Sequence, residues 1–141
     1  INLYELRQAI SYVPQEPVLR QGTIRDNLLL VKPDATEEQL LNAAERTGIL
    51  TRIQGGLDRE IGEQGMALSG GERQRIAIAR CLLDGRKVIL LDEATSQMDA
   101  ATQDIMAKVL REEQKSRCAT VLSVAHRLEF NRFADETISV E

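Results

Sequence analysis

Lys87–Glu93 reads KVILLDE, and this stretch decides the fold. Val88 to Leu91 is a continuous apolar run without alternation, and it ends in two adjacent acids. Such a run predicts a strand buried on both faces, as in a parallel sheet. Outward from it, the pattern changes to helix on both sides. Upstream, Ser69 and Glu72 have capping-box spacing, and Ile76, Ala79, Arg80 and Leu83 recur at helical intervals until Gly85. Downstream, a helix is expected from Ala100 to about Gln114, with Asp99 as its cap and Ile105, Met106, Val109 and Leu110 turned inward. A second buried strand is expected at Ala119–Val124 and a last short one at Thr137–Val140.

The first half is shorter in rhythm. Ile10–Val13 (ISYV) predicts a strand stopped by Pro14. A short helix runs from Ile24 to about Leu30 behind Thr23 as cap. Another starts at Thr36, paired with Gln39, and carries Leu40, Leu41, Ala44 and Thr47 on one face up to Gly48. A helical turn follows at Leu50–Ile53. Strands alternating with helices define an α/β architecture with a mainly parallel sheet.

Length and composition narrow the function classes. The 141 residues fit one domain, and 43% apolar with 28% charged residues excludes intrinsic disorder. Eighteen basic against 22 acidic side chains leave a net charge of −4, unfavourable for a phosphate backbone, so no nucleic-acid partner is expected. The longest aliphatic runs are far too short to cross a bilayer. Cys81 and Cys118 are too few for a disulfide framework or a zinc site, which points to a reducing, cytoplasmic setting. The chain opens on Ile1 rather than Met and reads as a piece of something longer.

In open parallel sheets ligands bind at the carboxyl ends of the strands. Three expected strands end in polar groups: Gln15 after Pro14, Asp92–Glu93, and His126 after Ala125. An Asp ending a strand is a natural Mg²⁺ anchor, through water, and a neighbouring Glu can act as base toward water. Singly, each has a bland explanation as a solvated loop or a structural histidine. Together on successive strand ends they favour a site. The segment Leu68–Arg75, LSGGERQR, adds a helix N-terminus whose Ser69, Gly70 and Gly71 leave backbone N–H groups bare, a ready phosphate site. A plain capping box would explain Ser69 and Glu72 but not two glycines in the first turn, which together cost about 2 kcal/mol relative to Ala.

These motifs resemble the nucleotide-binding domains of ABC transporters. LSGGERQR is similar to the signature motif, Val88–Glu93 to Walker B with its glutamate, and Gln15 in YVPQEP to the Q-loop. Ser96–Asp99 is similar to the D-loop, with Ser-Gln-Met-Asp where Ser-Ala-Leu-Asp is commoner, and His126 in SVAHRL to the H-loop. Gly22–Leu28 (GTIRDNL) and Ile61–Gly65 (IGEQG) resemble the exporter branch, whose second stretch contacts the membrane domain. The order matches over essentially the whole chain. No G-x-x-x-x-G-K-[ST] phosphate loop, the Walker A motif, occurs in it.

The resemblance implies a P-loop-NTPase-like parallel sheet flanked by helices, formed by about 1–21 and 84–141, with an inserted helical subdomain at about 22–83 and the Walker A part absent. It implies ATP and Mg²⁺ sandwiched between two domains paired head to tail. Glu93 would polarise the attacking water, Asp92 and Gln15 would serve the metal, and His126 would contact the γ-phosphate. Ser69, Gly70, Gly71, Glu72 and Gln74 would face the partner's nucleotide, and Asp99 would bridge the interface. The implied partners are a second such domain and a transmembrane domain, on the cytoplasmic face of the membrane. The chain by itself is expected to bind ATP weakly, hydrolyse none and self-associate through open strand edges. Two alternatives stand beside this reading: an ABC-type ATPase outside transport, and a non-catalytic interaction module.

Overall fold

The computed structural model describes residues 2–125 and 133–140. Three strands, β1 (Ile10–Val13), β2 (Val88–Asp92) and β3 (Thr120–Val124), pair in parallel in that order. Val13 lies beside Leu91, and Asp92 beside Val124, so the carboxyl ends are level along one rim. A helix not expected from the sequence, α1 (Leu3–Ala9), precedes β1 with Asn2 as its cap and buries none of its residues.

The connection from β1 to β2 holds the helices α2 (Ile24–Leu29), α3 (Glu37–Arg46), α4 (Ile49–Arg52) and α5 (Gly70–Asp84). Reciprocal capping boxes start three of them, Thr23 with Asp26, Thr36 with Gln39 and Ser69 with Glu72. Each box satisfies backbone N–H groups that a helix start would otherwise leave unbonded. Gly85 closes α5 at φ +69, a left-handed conformation that costs glycine little. The return from β2 to β3 is α6 (Ala100–Arg117), capped by Asp99 as expected and three residues longer than expected.

Two apolar clusters share α5. Ile76, Ala79 and Leu83 face a helical cluster containing Ile24, Leu28 and Ile49. Ala77, Ile78, Cys81 and Leu82 face a sheet cluster containing Val13, Ile89 and Met106. The seam between α3 and α6 is polar: Arg46 pairs with Glu113 at 2.6 Å and Glu112 at 3.3 Å. Arg75 crosses the same seam, donating to the Thr47 carbonyl at 2.8 Å and Thr102 Oγ1 at 3.2 Å.

Several expectations change. The KVILL run buries only Ile89 and Leu91 fully, because α5 and α6 pack on the same sheet face. Tyr12, Leu122 and Val124 remain exposed. β3, expected as a buried strand, has only Val121 half-buried, since among the described residues it pairs on one side alone. Thr137–Val140 forms no strand; Ile138 and Val140 are 85% and 92% exposed, with no ladder to join. Within the helices, Leu41 and Ile105 point outward, and Ala43 and Ala107 hold the inward positions instead.

The two cysteines differ sharply. Cys118 is exposed, whereas burial pushes the Cys81 thiol up to about 11. A thiol with a raised folded pKa contributes its stability below the unfolded pKa and loses it as pH climbs through the folded value. At pH 8 iodoacetamide is therefore expected to alkylate Cys118 and to spare Cys81 until the chain unfolds. Equal labelling rates in the native protein would contradict this burial.

Candidate functional site

The level strand ends bring three of the expected groups to one rim. Gln15 follows β1, Asp92 ends β2 and Glu93 follows it; His126 lies outside the described residues. The Tyr12 phenol donates to Asp92 Oδ2 at 3.0 Å across the parallel pair. That bond holds the phenol proton and raises the Tyr12 pKa above its ordinary value.

Glu93 has a left-handed backbone, φ +49, which a non-glycine residue holds only when its surroundings fix it. Its N–H donates to the Val124 carbonyl at 3.0 Å, and its own carbonyl accepts from Ser96 N–H at 3.1 Å. The turn therefore aims the residue after the strand rather than letting it trail into solvent.

Beside this rim stands the start of α5. Ser69 Oγ accepts from Glu72 N–H at 3.2 Å, and Glu72 Oε2 accepts from Ser69 N–H at 2.9 Å. The Glu72 carboxylate is thus engaged in the cap. The two glycines have an intramolecular reason beyond ligand approach. A Cβ on Gly70 would fall 1.2 Å from Gln97 Oε1, and one on Gly71 would fall 3.0 Å from the Gln97 backbone carbonyl. The loop 96–99 therefore packs directly on the first turn of α5.

A cleft of about 220 Å³ opens at this junction, lined by Arg52, Ser69, Gly71, Arg75, Asp99 and Thr102 among others. Asp99 accepts from Thr102 N–H at 2.7 Å. Hydrogen bonding from Thr102, then the charges of Arg52 and Arg75, hold its carboxyl below the usual carboxylate range. Gln74 sits apart from all of these: it is fully buried and its amide is engaged, so its side chain offers no surface to a nucleotide. Sequence reasoning missed Arg52, Arg75 and Gln97. Arg52 carried no motif signal, Arg75 stood inside LSGGERQR without a role of its own, and the contact of Gln97 with Gly70 joins two distant segments.

No group of three or more His, Cys, Asp or Glu side chains converges among the described residues. Asp92 and Gln15 carry oxygen donors of the kind Mg²⁺ takes, and that ion keeps most of its water and phosphate ligands rather than needing a protein cage.

A parallel sheet with an acidic pair at its rim and a glycine-opened helix beside it defines a phosphate-handling α/β domain. The family model "ABC transporter" matches residues 1–96, and the chain belongs to that family. It is 39% identical over 142 residues to the ATP-dependent permease MDL1 of Candida albicans, covering 98% of this chain and 21% of that protein. It is 41% identical over 141 residues to a mitochondrial iron-sulfur clusters transporter, ABCB7, of Rattus norvegicus, covering 98% of this chain and 18% of that protein. A bacterial Atm1-family ABC exporter with ATP bound has the same fold, with TM-score 0.83 and 36% identity over 92% of this chain and 23% of that one. The chain spans between 10% and 24% of the length of these and similar curated relatives. No helix of the described residues is long and apolar enough to cross a membrane.

Proposed function

We propose that the chain is part of the ATP-hydrolysing domain of an exporter, coupling ATP hydrolysis at the cytoplasmic face to transport across the membrane. The observation that carries the reading is the junction of Asp92–Glu93 with the serine-capped, glycine-opened start of α5. Hydrolysis of a phosphoanhydride needs positioning and charge neutralisation more than covalent chemistry. Glu93 orients the water and takes its proton. Asp92 and Gln15 would hold Mg²⁺, which would supply charge neutralisation for the phosphates when bound. Ser69, Gly70 and Gly71 donate toward the γ-phosphate of a nucleotide held by a second domain, with Glu72 fixing that helix start by its cap. Asp99, on the rim of the cleft, meets the second domain, and His126 serves the γ-phosphate. We assign residues of about 22–83 to a helical subdomain and the remainder to the sheet core. The chain holds no phosphate-loop motif, so alone it is expected to hydrolyse no ATP.

The two relatives described above are named as a permease and a transporter, which favours this over an ATPase outside transport. The test is phosphate release from Mg-ATP by the full-length protein in lipid vesicles, with and without Gly71→Asp. Turnover should fall at least about tenfold in the variant, because a carboxylate replaces bare N–H surface near the phosphate and its Cβ meets Gln97. Undetectable hydrolysis by the unsubstituted protein would overturn the reading.

A further inference from the structure

Gln74 is a fully buried amide on α5. It is 0% exposed, uncharged and at the centre of the rim rather than on it. Its Nε2 lies 3.2 Å from the Gln15 carbonyl, 3.3 Å from the Glu93 carbonyl and 3.1 Å from Ser96 Oγ. Its Oε1 accepts from Gln97 N–H at 3.0 Å. One side chain on the second turn of α5 thus touches the backbone after β1, the backbone after β2 and the loop before α6.

A primary amide suits this place and few other groups do. It supplies two donor hydrogens, shared here among three acceptors, and an acceptor for a backbone N–H, all without a charge to desolvate. Its position also explains how Glu93 keeps its left-handed backbone. The Glu93 peptide is gripped by Val124, by Ser96 and by the Gln74 amide, and the Gln74 bond ties it to α5.

We propose that Gln74 is a positioning residue for hydrolysis: it locks the Gln15, Glu93 and Ser96–Gln97 backbones to α5, setting Glu93 and the start of α5 in one rigid unit. This rests on the reading of Glu93 as the group that activates water. Gln74 itself touches no nucleotide. Losing its amide should therefore lower kcat more than it raises KM, since the Ser69–Glu72 capping box still holds Ser69–Gly71 while the Glu93 peptide loses its tie to α5.

The experiment uses the full-length protein in lipid vesicles, with Mg-ATPase kinetics, nucleotide-binding affinity and thermal unfolding measured for each variant. Gln74→Met keeps the length of the side chain and removes every hydrogen bond. It should lose at least about tenfold in kcat, with KM and nucleotide affinity within about threefold of the unsubstituted protein. Gln74→Asn keeps the amide but draws it back by one methylene, away from the acceptors on both loops. It should show the same split, a kcat loss of at least about tenfold with nucleotide affinity within about threefold. A Gln74→Met protein with unchanged kcat overturns the proposal, and so does one whose kcat loss is matched by an equal loss of nucleotide affinity. If Gln74→Met does not fold, Gln74→Asn decides: an unchanged kcat, or a kcat loss matched by an equal loss of nucleotide affinity, overturns the proposal, and a kcat loss alone supports it. Glu93→Gln run alongside separates the two claims. Unchanged turnover there removes the reading of Glu93, whatever the Gln74 variants do.

Discussion

Glu93→Gln should lower the ATP turnover of the full-length transporter by at least about a hundredfold while leaving nucleotide affinity within a few-fold. The substitution is nearly isosteric, and glutamine has no greater objection than glutamate to the φ of +49 at this position. The peptide keeps its bonds to Val124 and Ser96, so the turn stays where it is. What is lost is a carboxylate able to accept a proton from water. Phosphate release and equilibrium binding of ATP, measured on the same preparation, check both halves of the statement. Turnover within threefold of the unsubstituted protein would remove Glu93 from the chemistry.

Ile78→Ala should destabilise the fold by about 2–5 kcal/mol, a large part of the roughly 5–15 kcal/mol that holds a domain together. Ile78 is 0% exposed and faces the sheet cluster with Val13, Ile89 and Met106, where no neighbour can collapse into the space without leaving another void. Ile105→Ala, on a side chain 49% exposed, serves as the comparison and should cost less than about 1 kcal/mol. Urea unfolding followed by circular dichroism reads both. If the two variants unfold at the same midpoint, α5 does not carry the sheet core.

Local signals were the legible part. Thr36 with Gln39, Ser69 with Glu72, and Asp99 each start a helix where their spacing says, because a cap is settled within four residues. Ile10–Val13 and the KVILLD stretch are strands for a similar reason, a short β-rich run bounded by a breaker or by charge. What a strand packs against is a different matter. The exposure of β3, and the absence of pairing at Thr137–Val140, depend on neighbours far away in the chain. α1 is hard to read from the sequence because it is only seven residues long and buries none of them, although Leu3 and Leu6 stand at helical spacing. At the site, the acidic pair, Gln15 and the start of α5 were readable as motifs. The interior place of Gln74 was readable too, since it stands four residues before Ile78 and seven before Cys81 on the stripe that faces the sheet. Motif matching drew it to the nucleotide instead. The glycines at 70 and 71 signalled a close approach, but neither segment taken alone shows that Gln97 is what approaches.

The single helix α5 belongs to both apolar clusters, and this makes it a beam rather than a brick. Its 15 residues span about 22 Å at 1.5 Å per residue. Turning the helical cluster against the sheet by about 10° would swing one end of such a rod about 4 Å relative to the other. The rod cannot take up that motion quietly, because Ile76 and Leu83 are seated in one cluster while Ile78 and Leu82 are seated in the other. A push on the helical cluster would therefore load the whole rod, and the contacts of Gly70, Gly71 and Gln74 with the loops after the strands would have to bear it.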